Sequence, residues 1–272
     1  MANDIRAIQL KELDIVRAFV HVCDANGLTY YMVGGTLLGA VRHKGFIPWD
    51  DDMDFAMPRA DYERFLRGLY KQLPDHIKVD HFKFDPNVYF YPMKLMDTEV
   101  QVTEKRLERF DQISYLSIDV FPIDGFPNDW LKRKFYKLKF YYYKMLIGFC
   151  NVDRLRTNVK RSRLEKILIR FAEVFQLNKR LKLVKIRDRY DRFLRNNSKD
   201  CCDLIGDITG RYGFKEFVPR SYFGIPKKLV FEDLELAAPS RYEDYLRHIY
   251  GDYMKLPPEE DRVSDHLSIV KG

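Results

Sequence analysis

An α+β fold is predicted for this 272-residue chain, on three observations. Strand-type apolar stretches recur in the first half, at residues 29–33, 52–57, 77–82, 88–96, 99–103 and 114–121. Residues 129–196 read as almost continuous helix, rich in Lys, Arg, Tyr and Phe. Elsewhere strands and helices mix without the regular βαβ alternation of a parallel sheet.

Taken in order, Ile5, Ile8, Val16, Phe19 and Val20 mark an amphipathic first helix. Asn26-Gly27 in "DANG" suits its left-handed C-terminal cap. "TYYMV" is then a strand running into Gly34-Gly35, and Thr36 is placed to cap a short helix through about His43. Pro48 disfavours helix at Ile47, which makes "GFIPW" a loop. The strand at 52–57 leads to "RADYERFLRGLYKQL", a helix with Tyr62, Phe65, Leu66 and Leu69 on one stripe. The last third returns to short strands in "KKLVFEDLELAAP" and a helix, "RYEDYLRHIY", that Gly251 ends. Pro257-Pro258 and "EEDR" suggest an exposed tail.

Composition excludes several classes. Hydrophobic residues at 46% and charged residues at 32% describe a globular chain with a substantial core. No apolar run approaches the ~20 residues of a membrane span, and the N-terminal stretch lacks the basic-then-apolar layout of a signal peptide. Cys23, Cys150, Cys201 and Cys202 have neither disulfide nor zinc spacing, so thiols and a cytoplasmic location are expected. The net charge of +7 is uneven: residues 131–200 carry 22 Lys/Arg against 6 Asp/Glu, a net of +16, and leave the remainder at −9. That basic insert is open to three readings: a solvated helical subdomain packed on the body, a surface docking on an anionic membrane face, or a nucleic-acid site, which the acidic body discourages.

The segment "GGTLLGAVRHKGFIPWDDDMDF", residues 34–55, concentrates the chemistry. Side chains alternate along a strand, so Asp50, Asp52 and Asp54 project together if the extended state reaches back to Asp50. Met53, Phe55 and Met57 then face the core. Like charges this close need protons or a cation, and an Asp-x-Asp pair offers oxygen ligands to Mg²⁺, which borrows further oxygens from water and phosphate. A solvated acidic loop is the plain alternative. An EF-hand is excluded, because Phe55 and Asp61 stand where its glycine and its glutamate are needed. A glycine pair between strand and helix lets backbone amides approach a phosphate, though a tight turn explains it equally well. In "SIDVFPIDGFP", Asp119 lies between strand-forming Ile118 and Val120, either at an exposed edge or buried for a purpose, and Asp124 before Gly125 reads as a turn residue. Arg42 ends the short helix within reach of a diphosphate, or is merely solvated. Lys94 is a cation within the apolar run "FYPMKLMDT", and His266 follows the tail acids.

Gly-Gly, then Asp-x-Asp, then a distant strand acid is the pattern of the nucleotidyltransferase fold. The fuller wording from Gly34 to Arg59, with "SIDVFPID" and "YGDYMKLPP" followed by His266, resembles the LicD-type phosphocholine transferases, whose wider group includes fukutin and fukutin-related protein. The resemblance covers roughly residues 12–125 and 218–266. It implies a nucleotidyltransferase-like mixed sheet flanked by helices, with a catalytic core over 1–128 and a segment over 203–272 completing the catalytic domain; the basic helical insert over 129–202, read from its own composition, matches the family only in being helical and basic. It further implies that Asp52 and Asp54 ligate Mg²⁺ (or Mn²⁺), with Asp119 as third ligand or as base for the acceptor hydroxyl. Asp50 would support the metal shell, and Gly34, Gly35 and Thr36 would meet phosphate, with Arg42, Lys94 and His266 assisting.

The implied reaction moves a phospho-alcohol, phosphocholine above all, from a CDP-alcohol such as CDP-choline to a sugar hydroxyl and releases CMP. The sugar belongs to a cell-surface glycan precursor, often polyprenol-linked, so the enzyme would work in the cytoplasm or at the inner face of the plasma membrane, touching it through 131–200. A choline head would want aromatic faces, for which Trp49, Tyr89, Phe90, Tyr91 and the tyrosines beyond 141 are candidates. Two alternatives stand beside this reading: transfer of a nucleotidyl group from a nucleoside triphosphate with release of pyrophosphate, and an inactive basic membrane-binding protein.

Overall fold

Helix α1 (Ala2–Ala25) lays Ile8, Val16, Phe19 and Val22 against the face of a mixed sheet. It ends where Gly27 takes φ +59° and Leu28 N–H donates to the Cys23 carbonyl, the left-handed cap expected from "DANG". The computed structural model describes residues 2–86, 88, 91–104, 113–152, 162–196, 202–262 and 267–271. Strand β1 (Tyr31–Met32) leads into α2 (Gly34–Arg42) with no intervening loop, and β2 (Asp54–Pro58) leads as abruptly into α3 (Arg59–Arg67). Then come β3 (Ile77–Asp80), β4 (Met93–Glu104) and β5 (Ile113–Phe126).

The basic stretch supplies α4 (Trp130–Cys150), α5 (Arg163–Val174), α6 (Leu177–Arg180) and α7 (Leu183–Arg195). Asp129 caps α4, and Ser162 with Glu165 forms a capping box on α5. The chain returns as β6 (Leu204–Gly206), β7 (Val218–Pro219), α8 (Arg220–Phe223), the hairpin β8 (Lys227–Phe231) and β9 (Leu234–Ala238), α9 (Tyr242–Tyr250) and β10 (Leu267–Lys271).

The main sheet runs β1-β2-β5-β4-β10, with β3 beside the first half of β4 and β6-β7 continuing from the end of β5. Its pairings are antiparallel except β2 with β5, which run parallel in a register that sets Asp54 beside Asp119. Phe19, Tyr30, Phe55 and Phe65 form an aromatic knot between α1, α3 and the sheet, with ring centroids 5.5–6.0 Å apart. Each buries enough apolar surface to contribute about 2–3 kcal/mol. A second cluster joins the insert to the end of β5, where Tyr136, Phe140 and Tyr143 of α4 meet Tyr190 and Phe193 of α7 around Phe126.

Several local expectations are corrected. The strands expected at 88–96 and 99–103 are one strand, β4, with a register shift between Asp97 and Gln101 that lets it bend without ending. Thr36 does not cap α2: Val33 stands at that position, and Thr36 lies inside the first turn. Asp124 is not a turn residue. It is a buried strand residue paired with Gly206, and its carboxylate accepts from Arg59 Nε at 2.8 Å. The tail expectation holds only in part: Pro258, Glu259, Glu260 and Asp261 are exposed, but Leu267–Lys271 then pair with the open edge of β4 as β10. Cys23, Cys150 and Cys202 are free thiols, and Cys201 lies outside the described residues.

Candidate active site

Parallel pairing of β2 with β5, and antiparallel pairing of β5 with β4 and of β4 with β3, lines up a row of charge across the sheet. Asp54, Asp119, Lys94 and Asp80 are successive register partners, and register partners project to the same face. Lys94 Nζ stands 3.0 Å from Asp119 Oδ1, so the lysine balances an otherwise like-charged row.

Asp54 is clamped by its backbone. Its N–H donates to Thr36 Oγ1 at 2.7 Å, and its carbonyl accepts from Val33 N–H at 3.1 Å. The Asp119 N–H donates to the Met53 carbonyl at 3.0 Å, tying the acid loop to β5. From α1, Gln9 Nε2 donates to the Asp50 carbonyl at 2.8 Å and fixes the other end of that loop. Asp51, which sequence reasoning gave no chemistry, is fully buried.

The glycine pair has a steric role as well as an electrostatic one. A Cβ on Gly35 would stand 2.5 Å from Asp50 Oδ2, and one on Gly34, where φ is +55°, 3.0 Å from Asp54 Oδ2. The carboxylates therefore lean on the first turn of α2, whose dipole favours negative charge. That support does not offset burial: burial and then the neighbouring Asp52 push Asp50 up to about 8, with Arg211 opposing. Asp54 is raised well above the carboxylate range by burial, then by Asp52, Asp119 and Asp50, with Lys94 opposing.

Glu12 of α1 is fully buried, and among the described residues neither of its carboxyl oxygens has a hydrogen-bond partner. Burial, then Asp52, Asp51, Asp50 and Asp54, raises it strongly. Sequence reasoning missed it. The available signal was an acid four residues after Ile8 and four before Val16, on the buried stripe of α1.

Asp50, Asp52, Asp54 and Asp119 open onto a cavity of about 640 Å³, a size suited to a nucleotide-linked small molecule. Gly34, Gly35, Asp50, Asp52, Asp54 and Asp119 line one part of it. Another part comes from the C-terminal segment: Asp207, Arg211, Tyr212, Glu216, Tyr245 and Tyr250, with Phe223. The three tyrosines fall among those beyond 141 offered by the sequence for a choline head, whereas Asp207, Arg211, Glu216 and Phe223 carry no sequence signal. Arg42 does not line the cavity, because its guanidinium donates to the carbonyl of Tyr253 at 3.1 Å and packs under the C-terminal loop. Arg211 is the guanidinium at the cavity wall. His266 lies outside the described residues, as do Tyr89 and Phe90. Trp49 packs on His43 and under Arg262, and Tyr91 donates to Asp191 at 2.6 Å, away from the cavity.

Among the described residues no three Asp, Glu, His or Cys side chains form a ready-made metal cage. Four carboxylates that line one cavity, two of which (Asp50 and Asp54) are pushed up by burial and then by neighbouring acids, nonetheless fit a hard divalent cation shared with a substrate's phosphate oxygens.

Comparison with known proteins places the chain. Residues 27–146 match the family described as LicD/FKTN/FKRP, nucleotidyltransferase domain. A 48-residue stretch, 18% of this chain and 10% of the relative, is 46% identical to ribitol 5-phosphate transferase FKRP of Homo sapiens. Over 267 residues, 97% of this chain and 96% of the relative, it is 31% identical to the lipopolysaccharide cholinephosphotransferase LicD of Haemophilus influenzae. A likeness to an enzyme that runs this far along both chains settles membership: the chain belongs to the LicD/FKTN/FKRP nucleotidyltransferase-domain family and is an enzyme of that family.

Proposed function

We propose that the chain is a divalent-metal-dependent phosphotransferase that moves phosphocholine from CDP-choline to a sugar hydroxyl of a cell-surface glycan precursor and releases CMP. The observation that carries this reading is the Asp54–Asp119 register in a nucleotide-sized cavity, in a chain alike along its length to a cholinephosphotransferase.

Asp52 and Asp54 would hold Mg²⁺ (or Mn²⁺), with Asp119 as third ligand or as the group that takes the proton from the acceptor hydroxyl. When bound, the metal neutralises charge on the donor's diphosphate and so lowers the barrier to attack at phosphorus. The chain's own groups do the rest. Asp50 and the first turn of α2 hold the metal-binding loop at the cavity wall. Lys94 balances Asp119, and Arg211 presents a cation for the nucleotide's phosphates. The acceptor oxygen forms a bond to the phosphorus carrying choline, the bond to the CMP oxygen breaks, and the hydroxyl proton passes to Asp119 or to water.

Peripheral membrane contact is part of the proposal, with a cytoplasmic enzyme meeting a lipid-linked acceptor at the membrane face. Trp130, Phe135, Leu138 and Tyr141 of α4 are largely exposed and alternate with Lys132, Lys134, Lys137 and Lys139, a combination suited to an anionic interface. Among the described residues no helix is long and apolar enough to cross a membrane.

Product analysis tests the reaction. With CDP-choline and a glycan acceptor, CMP and a phosphocholine-bearing sugar are expected. Release of pyrophosphate from a nucleoside triphosphate, with no turnover of any CDP-alcohol, would replace this reading with nucleotidyl transfer.

A further inference from the structure

We propose that the C-terminal wall of the cavity, where Glu216 and Asp207 stand with Tyr212, Tyr245 and Tyr250, is a subsite for the quaternary ammonium head of the donor. The inference rests on the phosphotransferase reading and names what selects the donor alcohol.

These side chains line the same cavity as the Asp50–Asp54 loop. Tyr212 and Tyr250 meet edge to face at 5.6 Å, and Phe223 and Tyr245 do so at 5.9 Å. The Gly34 backbone lies against the Tyr245 hydroxyl, so this wall adjoins the first turn of α2, where the diphosphate is expected. Aromatic faces attract a cation through the ring quadrupole, and trimethylammonium, which is bulky and has no N–H, depends on that attraction and on nearby negative charge.

The carboxyl groups are arranged for field more than for hydrogen bonding. Glu216 accepts from Tyr212 N–H and from Tyr245 OH, each at 3.4 Å. Asp207 accepts from Thr209 N–H at 2.9 Å and from its hydroxyl at 2.6 Å. Their charge faces the cavity with only part of each carboxyl's hydrogen-bonding capacity used, and trimethylammonium gains from that charge and from the rings. Ribitol or glycerol gains no cation–π attraction from this wall.

Among the described lining residues Arg211 is the one cation. Burial raises Asp207 to about 6, and burial with the neighbouring Asp207 raises Glu216 to about 7, so each carboxylate is favoured by a nearby positive charge. A bound quaternary ammonium would supply that charge and favour their ionised forms.

Calorimetry on the full chain with Mg²⁺ tests the subsite with three probes: CDP-choline, its uncharged 3,3-dimethylbutyl isostere, and CMP. The wild type is expected to bind CDP-choline about tenfold or more tighter than the isostere, the scale of a desolvated cation–π site. Glu216→Gln and Asp207→Asn should each shrink that preference to about threefold or less while CMP and isostere affinities hold, which also certifies the fold. The proposal is overturned if the wild type does not discriminate, or if both variants keep the full preference. A Glu216→Gln enzyme that keeps its preference but transfers slowly would move Glu216 to the acceptor side and equally overturn it. A wild type that binds CMP yet neither CDP-alcohol defeats the phosphotransferase reading itself, and the subsite with it.

Discussion

A methyl group added at Gly35 would meet a carboxylate oxygen and no backbone atom. Since that oxygen ends a rotatable side chain, Gly35→Ala should leave stability within about 1 kcal/mol of wild type, with helix propensity favouring alanine. It should displace Asp50 from the first turn of α2 and weaken Mg²⁺ binding about 10–100-fold, as loss of a ligand's support does. Thermal melts with and without Mg²⁺ check both parts, and an unchanged Mg²⁺ response would remove Asp50 from the metal's surroundings. Proton linkage gives a second residue-scale prediction. The folded-state pKa of Asp50, about 8, lies above its ordinary value, so without metal the folded chain holds a proton that the unfolded chain releases. This contribution to stability is complete below the ordinary carboxylate range and is lost as pH rises toward 8. A divalent cation displaces the proton, so the rise in Tm on adding Mg²⁺ should be larger at about pH 8 than at about pH 6. Equal rises at both would contradict it.

Among the elements, α3, β5 and α7 are joined by a buried ion cluster that no local pattern announces. Arg59, at the start of α3, donates to Asp124 of β5 and, at 3.2 Å, to Asp191 of α7. Tyr91 and Glu63 join the cluster, Lys83 bonds Glu63 at 3.0 Å, and Arg195 pairs with Asp191 at 2.7 Å. Removing one partner strands buried charge, so Arg59→Ala should cost about 3–5 kcal/mol in urea denaturation. A loss under about 1 kcal/mol would mean that the aromatic contacts of α4 and α7 hold the insert without it. Legibility follows the same division. Strand, Gly-Gly, short helix and Asp-x-Asp were readable because each is a local event: Val33 to Asp54 span one hairpin-like excursion closed by Thr36. The placement of Asp207, Glu216, Tyr245 and Tyr250 was not, since only the return of the chain through β6 and α9 brings them to the cavity. Asp124 was misread because "DG" is a turn signal until a buried arginine from another element occupies the carboxylate.

At the scale of the whole molecule the charge is divided, with net −9 outside residues 131–200 and +16 within them. The acids concentrate where the chemistry is proposed, and the bases lie on helices that keep one set of aromatics exposed, as where Lys134 Nζ stands 4.4 Å above the Trp130 ring. Co-sedimentation should favour vesicles containing anionic lipid over zwitterionic ones and fade at about 0.5 M salt, where the Debye length is only a few ångströms. Lys134→Glu with Lys137→Glu should lower partitioning about tenfold or more, at about 1 kcal/mol per basic residue. Equal binding to neutral vesicles would instead leave the insert as packing for the body.

The central claim is that the clustered carboxylates hold a metal bound to the donor's diphosphate. Titrating CDP-choline into the protein with and without Mg²⁺, for wild type and Asp54→Asn, tests it most directly. Binding should require the metal and weaken at least about a hundredfold in the variant, since a metal's contact with phosphate oxygens is worth several kcal/mol. Binding of equal strength without Mg²⁺, or undiminished in Asp54→Asn, would contradict it.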